Sequence, residues 1–329
     1  MKIKRTVAAI LSVVSLLAAA GSVAHAESAY PSRTIRMIVA YPAGSVNDIF
    51  ARAVSDGMAN FLGVPVIVEN KSGAGGILGT KYVINSSNDG YTIGFGTSSQ
   101  LVMNAATPDV GIDFDKDITP IGLVSTGPLV LVVSKDRPST LKELIADAKA
   151  HPAKLTFGSA GMRSISHVLG ESLNKAAGVE LVHVPFTGQA PALNAVLGSH
   201  VDMLFDAPNT AMSAAAGGQV KVVAIGELPG TPGRSPEYPD LPTFAEAGLP
   251  NFECYTWTSL FGPPNMDPKI VSKLNEALGA GLKAEGMQRT LKLAASKQFG
   301  PSTPAETAKI GAEQRAKWVP FISNLKIGQ

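Results

Sequence analysis

Cysteine is almost missing from this chain: Cys254 is the only one among 329 residues. A lone thiol excludes an internal disulfide and any cysteine-pair metal site, so stability has to come from a packed core. Charge is scarce too. Charged residues make up 16% of the chain, 28 basic against 26 acidic, and no stretch concentrates Lys or Arg. That leaves no electrostatic footprint for nucleic acid or an anionic membrane surface, and neither is expected as a partner. Beyond the N-terminus there is no hydrophobic run approaching the ~20 residues of a membrane span.

What is present at the N-terminus is an export pattern. Lys2, Lys4 and Arg5 precede an apolar run from Val7 to Ala20, and Ala24-His25-Ala26 has the small-x-small form of a cleavage site. This reads as a secretory signal over residues 1–26. No cysteine stands near the cut, so a lipid anchor is not expected. Removing the segment leaves 303 of the 329 residues, with 25 basic against 26 acidic and a net charge of −1. The mature chain is expected in the periplasm, soluble and monomeric.

The remainder alternates strand and helix patterns. Strands are expected over 33–41, 64–69, 91–96, 129–133, 155–157, 181–185, 201–205 and 221–225. A helix from about Asn47 places Phe50, Val54, Met58 and Phe61 on one face at helical spacing. Thr140 and Glu143 form a capping-box pattern before a helix over 141–150. Asp267-Pro268 and Thr303-Pro304 open two later helices with a cap and a first-turn proline. Abundant glycine and proline, 33 and 23 residues, suit the short turns between elements. Such alternation predicts an α/β fold of mostly parallel sheets flanked by helices. The length fits two domains: 27–127 plus 257–329, and 128–256, with crossings near Thr126-Gly127-Pro128 and Tyr255–Ser259.

Chemistry collects in the turns after the strands, where an open α/β sheet keeps its ligand crevice. Pro42–Ser45, Thr97–Ser99, Ser159–Ser164 and Thr187–Gln189 are small, polar and backbone-exposing, and each leads into a helix. A helix N-terminus offers unpaired N–H groups and a positive partial charge, so it holds a carboxylate without a cationic side chain. Turns of this composition also serve simply to reverse the chain in any α/β protein. It is their number in an exported chain that points to binding.

The ordered set of motifs resembles one family. Tyr30-Pro31-Ser32-Arg33 with Ile35 comes first, then Pro42-Ala43-Gly44 with Asp48 and Arg52, and Val68-Glu69-Asn70 with Gly73-Ala74-Gly75-Gly76. Asp89-Gly90-Tyr91-Thr92, Ser159-Ala160-Gly161 with Ser164 and His167, His183-Val184-Pro185 and Gly188 follow. Phe205-Asp206, Leu241-Pro242-Thr243 with Glu246-Ala247-Gly248, and Trp318 complete it. The chain is similar to the substrate-binding proteins of tripartite tricarboxylate transporters, the Bug proteins, over nearly its whole mature length. The resemblance implies a two-lobed clamshell, no catalysis, no cofactor or metal, a small carboxylate ligand, and a two-subunit membrane permease as partner. Carried over, Ala43, Gly44, Ser45 and Asn47 form one jaw with Thr97 and Ser98, and Ser159, Gly161, Ser164 and Asp206 form the other. Asp206 is expected to orient water or a ligand hydroxyl, or to fix loop amides.

Three departures from the family pattern bear on the ligand. The first loop has Ser45 where Gly is usual, and Asn47 where Thr is usual. Arg163 replaces a usual Gly, and Phe186-Thr187 replaces a usual Tyr-Lys. Arg163 either pairs with a ligand carboxylate, which a guanidinium does in two-point fashion, or points into solvent. Phe186 would pack on the ligand body. A dicarboxylate fits this reading, with the aromatic terephthalate, a ligand type of that family, as one example.

Other classes fare worse. His167 and Glu171 lie four apart on an expected helix with His183 following, but no His-Glu-x-x-His is present. Ser98 or Ser159 with a histidine and Asp206 could imitate a hydrolase triad, yet there is no Gly-x-Ser-x-Gly elbow. Gly73, Gly75 and Gly79 miss the dinucleotide fingerprint by one residue. Asp113, Asp115 and Asp117 resemble a calcium loop with Ile118 and Val124 where Gly and Glu are required. A sensor that presents its closed form to a membrane signalling protein is the alternative to transport.

Overall fold

A computed structural model describes residues 30–107, 110–299 and 302–325; residues 1–26, expected from the sequence to be a secretory signal, lie outside the described residues. The folded body begins at Arg33. Its first half-sheet arises from β1 (Ile35–Val39), β2 (Val66–Asn70) and β3 (Thr92–Thr97), with helix α1 (Val46–Leu62) between the first two strands. Ala74–Gly76 is a single 3-10 turn that runs into α2 (Ile77–Ile84). After β3 comes one helical turn, α3 (Ser98–Leu101), and then a long strand, β4 (Thr119–Pro128).

The centre of the chain supplies β5 (Val130–Ser134), α4 (Leu141–Ala150), β6 (Thr156–Ser159), α5 (Ile165–Ala177), β7 (Val182–Pro185), α6 (Gln189–Leu197), β8 (Met203–Asp206), α7 (Pro208–Ala216) and β9 (Val220–Ile225). The chain then returns through β10 (Tyr255–Gly262), α8 (Pro268–Lys283), α9 (Glu285–Leu293), β11 (Lys297–Gln298) and α10 (Pro304–Ser323). Two sheets result, in the orders β11-β4-β10-β3-β1-β2 and β7-β6-β8-β5-β9.

Both sheets are mixed rather than mostly parallel. β1 runs parallel to β2 and β3, and β6 parallel to β7 and β8, as the strand–helix alternation demands. The strands next to the crossings between sheets break that rule. β10 is antiparallel to β3 and β4, and β5 is antiparallel to β8 and β9. β4 carries no strand signal in the sequence because Pro120, Gly122 and Gly127 interrupt its apolar pattern. Their reason is tertiary: a Cβ at Gly122 would sit 2.7 Å from Leu278 and 2.8 Å from Asn275, so that glycine lets α8 lie down on the strand.

Local chemistry sets the helix ends. Ser45 caps α1 and Gly63 closes it in the left-handed region, φ 72°. Phe50, Val54 and Met58 are buried as their spacing predicts, whereas Phe61 is 44% exposed. In the last turn the buried position passes to Leu62, and the Lys273 ammonium lies over the Phe61 ring, 4.7 Å away. Gly57 of α1 faces Gly281 of α8 so closely that a Cβ at Gly57 would lie 2.7 Å from the Gly281 Cα. Thr140 caps α4, and its hydroxyl also donates to the Glu143 carboxylate at 2.8 Å. Thr303 and Glu306 make the full reciprocal box on α10.

At the crossing between sheets three segments meet backbone to backbone. Gly226 N–H donates to the Leu129 carbonyl at 2.8 Å, and Leu129 N–H to the Cys254 carbonyl at 2.9 Å. Cys254 is fully buried and its Sγ donates to the Leu129 carbonyl at 3.4 Å. Burial pushes its thiol well above the usual range, so the nucleophilic thiolate is suppressed. The native protein is therefore expected to resist a thiol-labelling reagent and to react stoichiometrically only after unfolding in urea. Mass spectrometry of the labelled chain checks this, and rapid labelling without denaturant would contradict the closed crossing.

Among the described residues no helix is long and apolar enough to cross a membrane.

Candidate functional site

The turn after β1 is built around one carboxylate. Gly44 adopts φ 79°, and its N–H donates to Asp48 Oδ2 at 2.9 Å. Asp48 is buried and takes three more hydrogen bonds: Arg52 Nε and Nη2 at 3.0 Å each, and Asn70 Nδ2 at 2.9 Å. Hydrogen bonding from Arg52 is the main reason its acid is held down at about 2, against a burial penalty. Asn70 Nδ2 also donates to the Tyr41 carbonyl at 3.0 Å, and the Tyr41 hydroxyl meets Thr97 Oγ1 at 2.8 Å. Ser45 Oγ accepts from the Asp48 N–H. The loop Pro42–Ser45 is thus clamped from β2 and β3, the two strands that flank β1.

These contacts decide which amides face outward. Gly44 N–H is committed to Asp48, Ser45 N–H to the Pro42 carbonyl, and Asp48 N–H to Ser45. The first amides of a helix have no intrahelical acceptor, so Val46 and Asn47 at the head of α1 keep theirs available. Ala43 and Gly44 are exposed beside them. Thr97 and Ser98, at the end of the adjacent β3, are both buried. Thr97 Oγ1 caps α3 by accepting from Gln100 N–H at 3.1 Å, and Ser98 Oγ pairs with Thr256 Oγ1 at 2.8 Å. Their hydroxyls hold the floor together.

The second turn follows β6 and has the same logic with a different anchor. Ser159 Oγ donates to the Gly161 carbonyl at 3.1 Å, accepts from Gly161 N–H at 3.2 Å, and lies 2.6 Å from His183 Nε2. Gly161 has φ 116° and Arg163 φ 60°. A left-handed backbone suits glycine best, so Arg163 occupies this position at a steric cost. Ser164 caps α5, donating through Oγ to the Gly161 carbonyl at 2.7 Å and accepting from His167 N–H. Arg163 N–H donates to His167 Nδ1 at 3.0 Å. Ile165 and Ser166 at the head of α5 keep the amides that nothing inside the turn uses.

Beside it stand the ends of the neighbouring strands. Phe186, after β7, is half-buried and packs back against the apolar cluster of this sheet, near Gly158, Ala192 and Val201. Thr187 is exposed. Asp206 closes β8: its Oδ1 accepts from Ala207 N–H at 2.8 Å, while Oδ2 is buried with no partner. Burial pushes this acid up to about 6. Arg163 Nε is likewise buried and unpartnered.

Each group of expected site residues therefore sits at the C-terminal end of adjacent parallel strands, β1 and β3 in one sheet, β6, β7 and β8 in the other. Helix α5 links the two groups. Its N-terminus carries the second turn, while Ile165 and Leu169 line a small cavity with Ser98 of α3, Tyr255 and Trp257 of β10 and Trp318 of α10. Asp113 is bonded to Lys116, Asp115 is ion-paired with Arg315 and Asp117 accepts from the Asp113 N–H, so the acids of this turn are engaged within the protein. Sequence reasoning counted Asp48, Arg52, Asn70, His167 and His183 among the motif residues and weighed the two histidines for a metal site, but placed none of the five in the ligand site. The only local signal was the Asp48–Arg52 spacing of four.

Two lobes of mixed sheet, each ending in helix-heading turns at adjacent strand ends, define a two-lobed solute-binding protein of the periplasmic type. The chain belongs to the family described as tripartite tricarboxylate transporter family receptor, which it matches over residues 50–327. It is similar to the protein BugT of Bordetella pertussis, 31% identical over 320 residues covering 95% of this chain and 96% of BugT. Among solved structures it is similar to MatC from Rhodopseudomonas palustris with bound malate: 32% identity, TM-score 0.78, covering 89% of this chain and 100% of MatC. It is also similar to Rpa4515 of R. palustris with adipate, at 26% identity and TM-score 0.79 over 89% of this chain and 98% of the other.

Proposed function

We propose that this protein is a periplasmic receptor, exported through residues 1–26, that closes two lobes on a small carboxylate and delivers it unchanged to a two-subunit membrane permease. The lobes are residues 27–127 with 257–329, and residues 128–256. The observation that carries the reading is the pair of clamped turns, Pro42–Ser45 and Gly161–Ser164. Each spends its own glycine amide internally and leaves the next helix-heading amides for an anion. Hydrogen bonds to a charged group contribute roughly 1.5–3 kcal/mol each. Three or four, less the cost of immobilising the ligand, give micromolar binding. The malate and adipate held by similar proteins support a dicarboxylate. Arg163, beside the second turn, takes the distal carboxylate, and Phe186 and Thr187 shape the wall.

A thermal-shift series over mono- and dicarboxylates, aliphatic and aromatic, tests the reading. A ligand present at 100 times its Kd stabilises the native state by about 2.7 kcal/mol, a shift of several degrees. Arg163→Ala is expected to weaken a dicarboxylate by about tenfold to a hundredfold by calorimetry and to leave a monocarboxylate unaffected. Equal losses for both, or none for either, would remove Arg163 from the site. Silence across the whole series, or recovery of a chemically altered acid, would remove the function.

A further inference from the structure

The second turn rests on a feature that ligand capture does not by itself require: two histidines stacked face to face. The His167 and His183 rings lie 4.0 Å apart at 20°, and Phe157 of β6 lies alongside the pair, 4.9 Å from His183 and 6.4 Å from His167. Each imidazole holds one end of the turn. His183 Nε2 meets Ser159 Oγ at 2.6 Å, and His167 Nδ1 accepts the Arg163 N–H at 3.0 Å. The second contact fixes a tautomer. A ring nitrogen that accepts is bare, so the His167 proton sits on Nε2, directed to Glu171 Oε1 at 3.9 Å.

We propose that His167 and His183 are positioning residues that must both stay neutral to hold the Gly161–Ser164 turn in its anion-binding shape, so that acid releases the ligand by protonating them. The proposal rests on the reading of that turn as one jaw of the site. A proton arriving at His167 Nδ1 would set N–H against N–H, and the amide of Arg163 would lose its acceptor. Arg163 is the residue least able to lose it, since its left-handed backbone, φ 60°, is unfavourable for a non-glycine. A second proton on His183 would face the first at stacking distance.

The counter-charge beside His167 is the Glu171 carboxylate, 3.9 Å from Nε2. On the same turn and helix stand the Arg163 cation and Glu171, whose acid burial raises. β6 contributes Phe157 and Ser159, neither charged, and the neighbouring β8 ends in Asp206, which takes its proton near 6. Burial pushes both histidines down to about 4, and for His167 the charges of His183 and Arg163 add to it. Because the folded values lie below the unfolded 6.5, the histidines' contribution to stability is intact above pH 6.5 and is lost as pH falls toward 4.

The test uses the mature chain and two readouts. In ligand-free protein, NMR should show the Arg163 amide and the His167 ring titrating together near pH 4. Normal titration of both rings near 6.5, or an Arg163 amide that ignores His167, would overturn the proposal whatever the protein binds. Calorimetry with malate and adipate between pH 7.5 and about 3.5, through the folded histidine values, then compares three chains. His167→Asn keeps an acceptor for the Arg163 amide but takes no proton. It should bind within about threefold of wild type at pH 7.5 and hold its affinity better in acid. His167→Leu, which lacks an acceptor, should bind about tenfold or more weakly at pH 7.5. Protonation of the ligand itself is common to all three and cancels. Leucine binding like wild type, or asparagine sharing the full acid loss, would refute the assignment. A leucine chain that fails to fold leaves the decision to the NMR titration and to His167→Asn.

Discussion

Asp48→Ala is expected to cost the protein its ligand and about 2–4 kcal/mol of stability together. The carboxylate is buried and serves three partners from three places in the chain: the Gly44 amide, the Arg52 guanidinium and the Asn70 amide. Removing it takes the acceptor from the Gly44 N–H and from one hydrogen of Asn70 Nδ2, whose other hydrogen stays on the Tyr41 carbonyl. The Arg52 side chain is half exposed, so water compensates that partner, which keeps the loss below that of a fully buried pair. Urea unfolding gives the stability change and calorimetry the binding. Asp48 titrates at about 2 when folded, below its free value of 3.8. Its contribution is therefore present above 3.8 and disappears as pH falls toward 2, where mutant and wild type should converge. An alanine chain with an unchanged urea midpoint would show that the loop does not depend on this network.

Asp206→Asn should act in the opposite direction on stability. Its carboxylate is buried with one oxygen unpartnered, and its acid sits at about 6, above the free value of 3.8. Here the burden of a buried charge is greatest above pH 6 and is relieved as pH falls to 3.8. Two pH units of displacement correspond to about 2–3 kcal/mol. Asparagine removes the charge but leaves an amide without a full set of partners. The net gain at pH 7.5 should thus be about 1–2 kcal/mol, vanishing near pH 4. Ligand affinity should fall by about tenfold, because an ionised oxygen at a strand end is suited to accept from a ligand hydroxyl or a bound water. Scanning calorimetry of the free protein and titration with malate measure the two halves. A chain that is no more stable and binds equally well would leave the buried charge without a role.

Much of the fold was legible because its signals are local. Thr303, Pro304 and Glu306 announce α10 in four residues, Asp267-Pro268 announces α8, and the unbroken apolar run of β5 matches its complete burial. β4 was not legible, since Gly122 and Gly127 answer to α8 and to Ser296, which lie far along the chain. The mixed sheets escaped for the same reason. Alternation reports the parallel neighbours β1, β2 and β3, and says nothing of the antiparallel strand inserted later. In the site, the turns at Pro42–Ser45 and Ser159–Ser164 were visible as strand-to-helix turns. Which amides they spend internally was not, because the acceptors are side chains fixed by tertiary contacts. Asn70 stands 22 residues from Asp48, and His183 stands 24 from Ser159. Phe186 shows the limit in another way: a ring expected to meet the ligand also has a lobe core to fill.

The order of the first sheet, β11-β4-β10-β3-β1-β2, places at its centre a strand that begins only at Tyr255. Until that segment emerges, β3 and β4 have bare edges with nothing between them, and the wall of α8 and α10 is also missing. Early parts of this lobe cannot finish folding while the chain is still being made. The longest-range pairing acts as a timer that withholds the native state of this lobe until almost the whole chain is available.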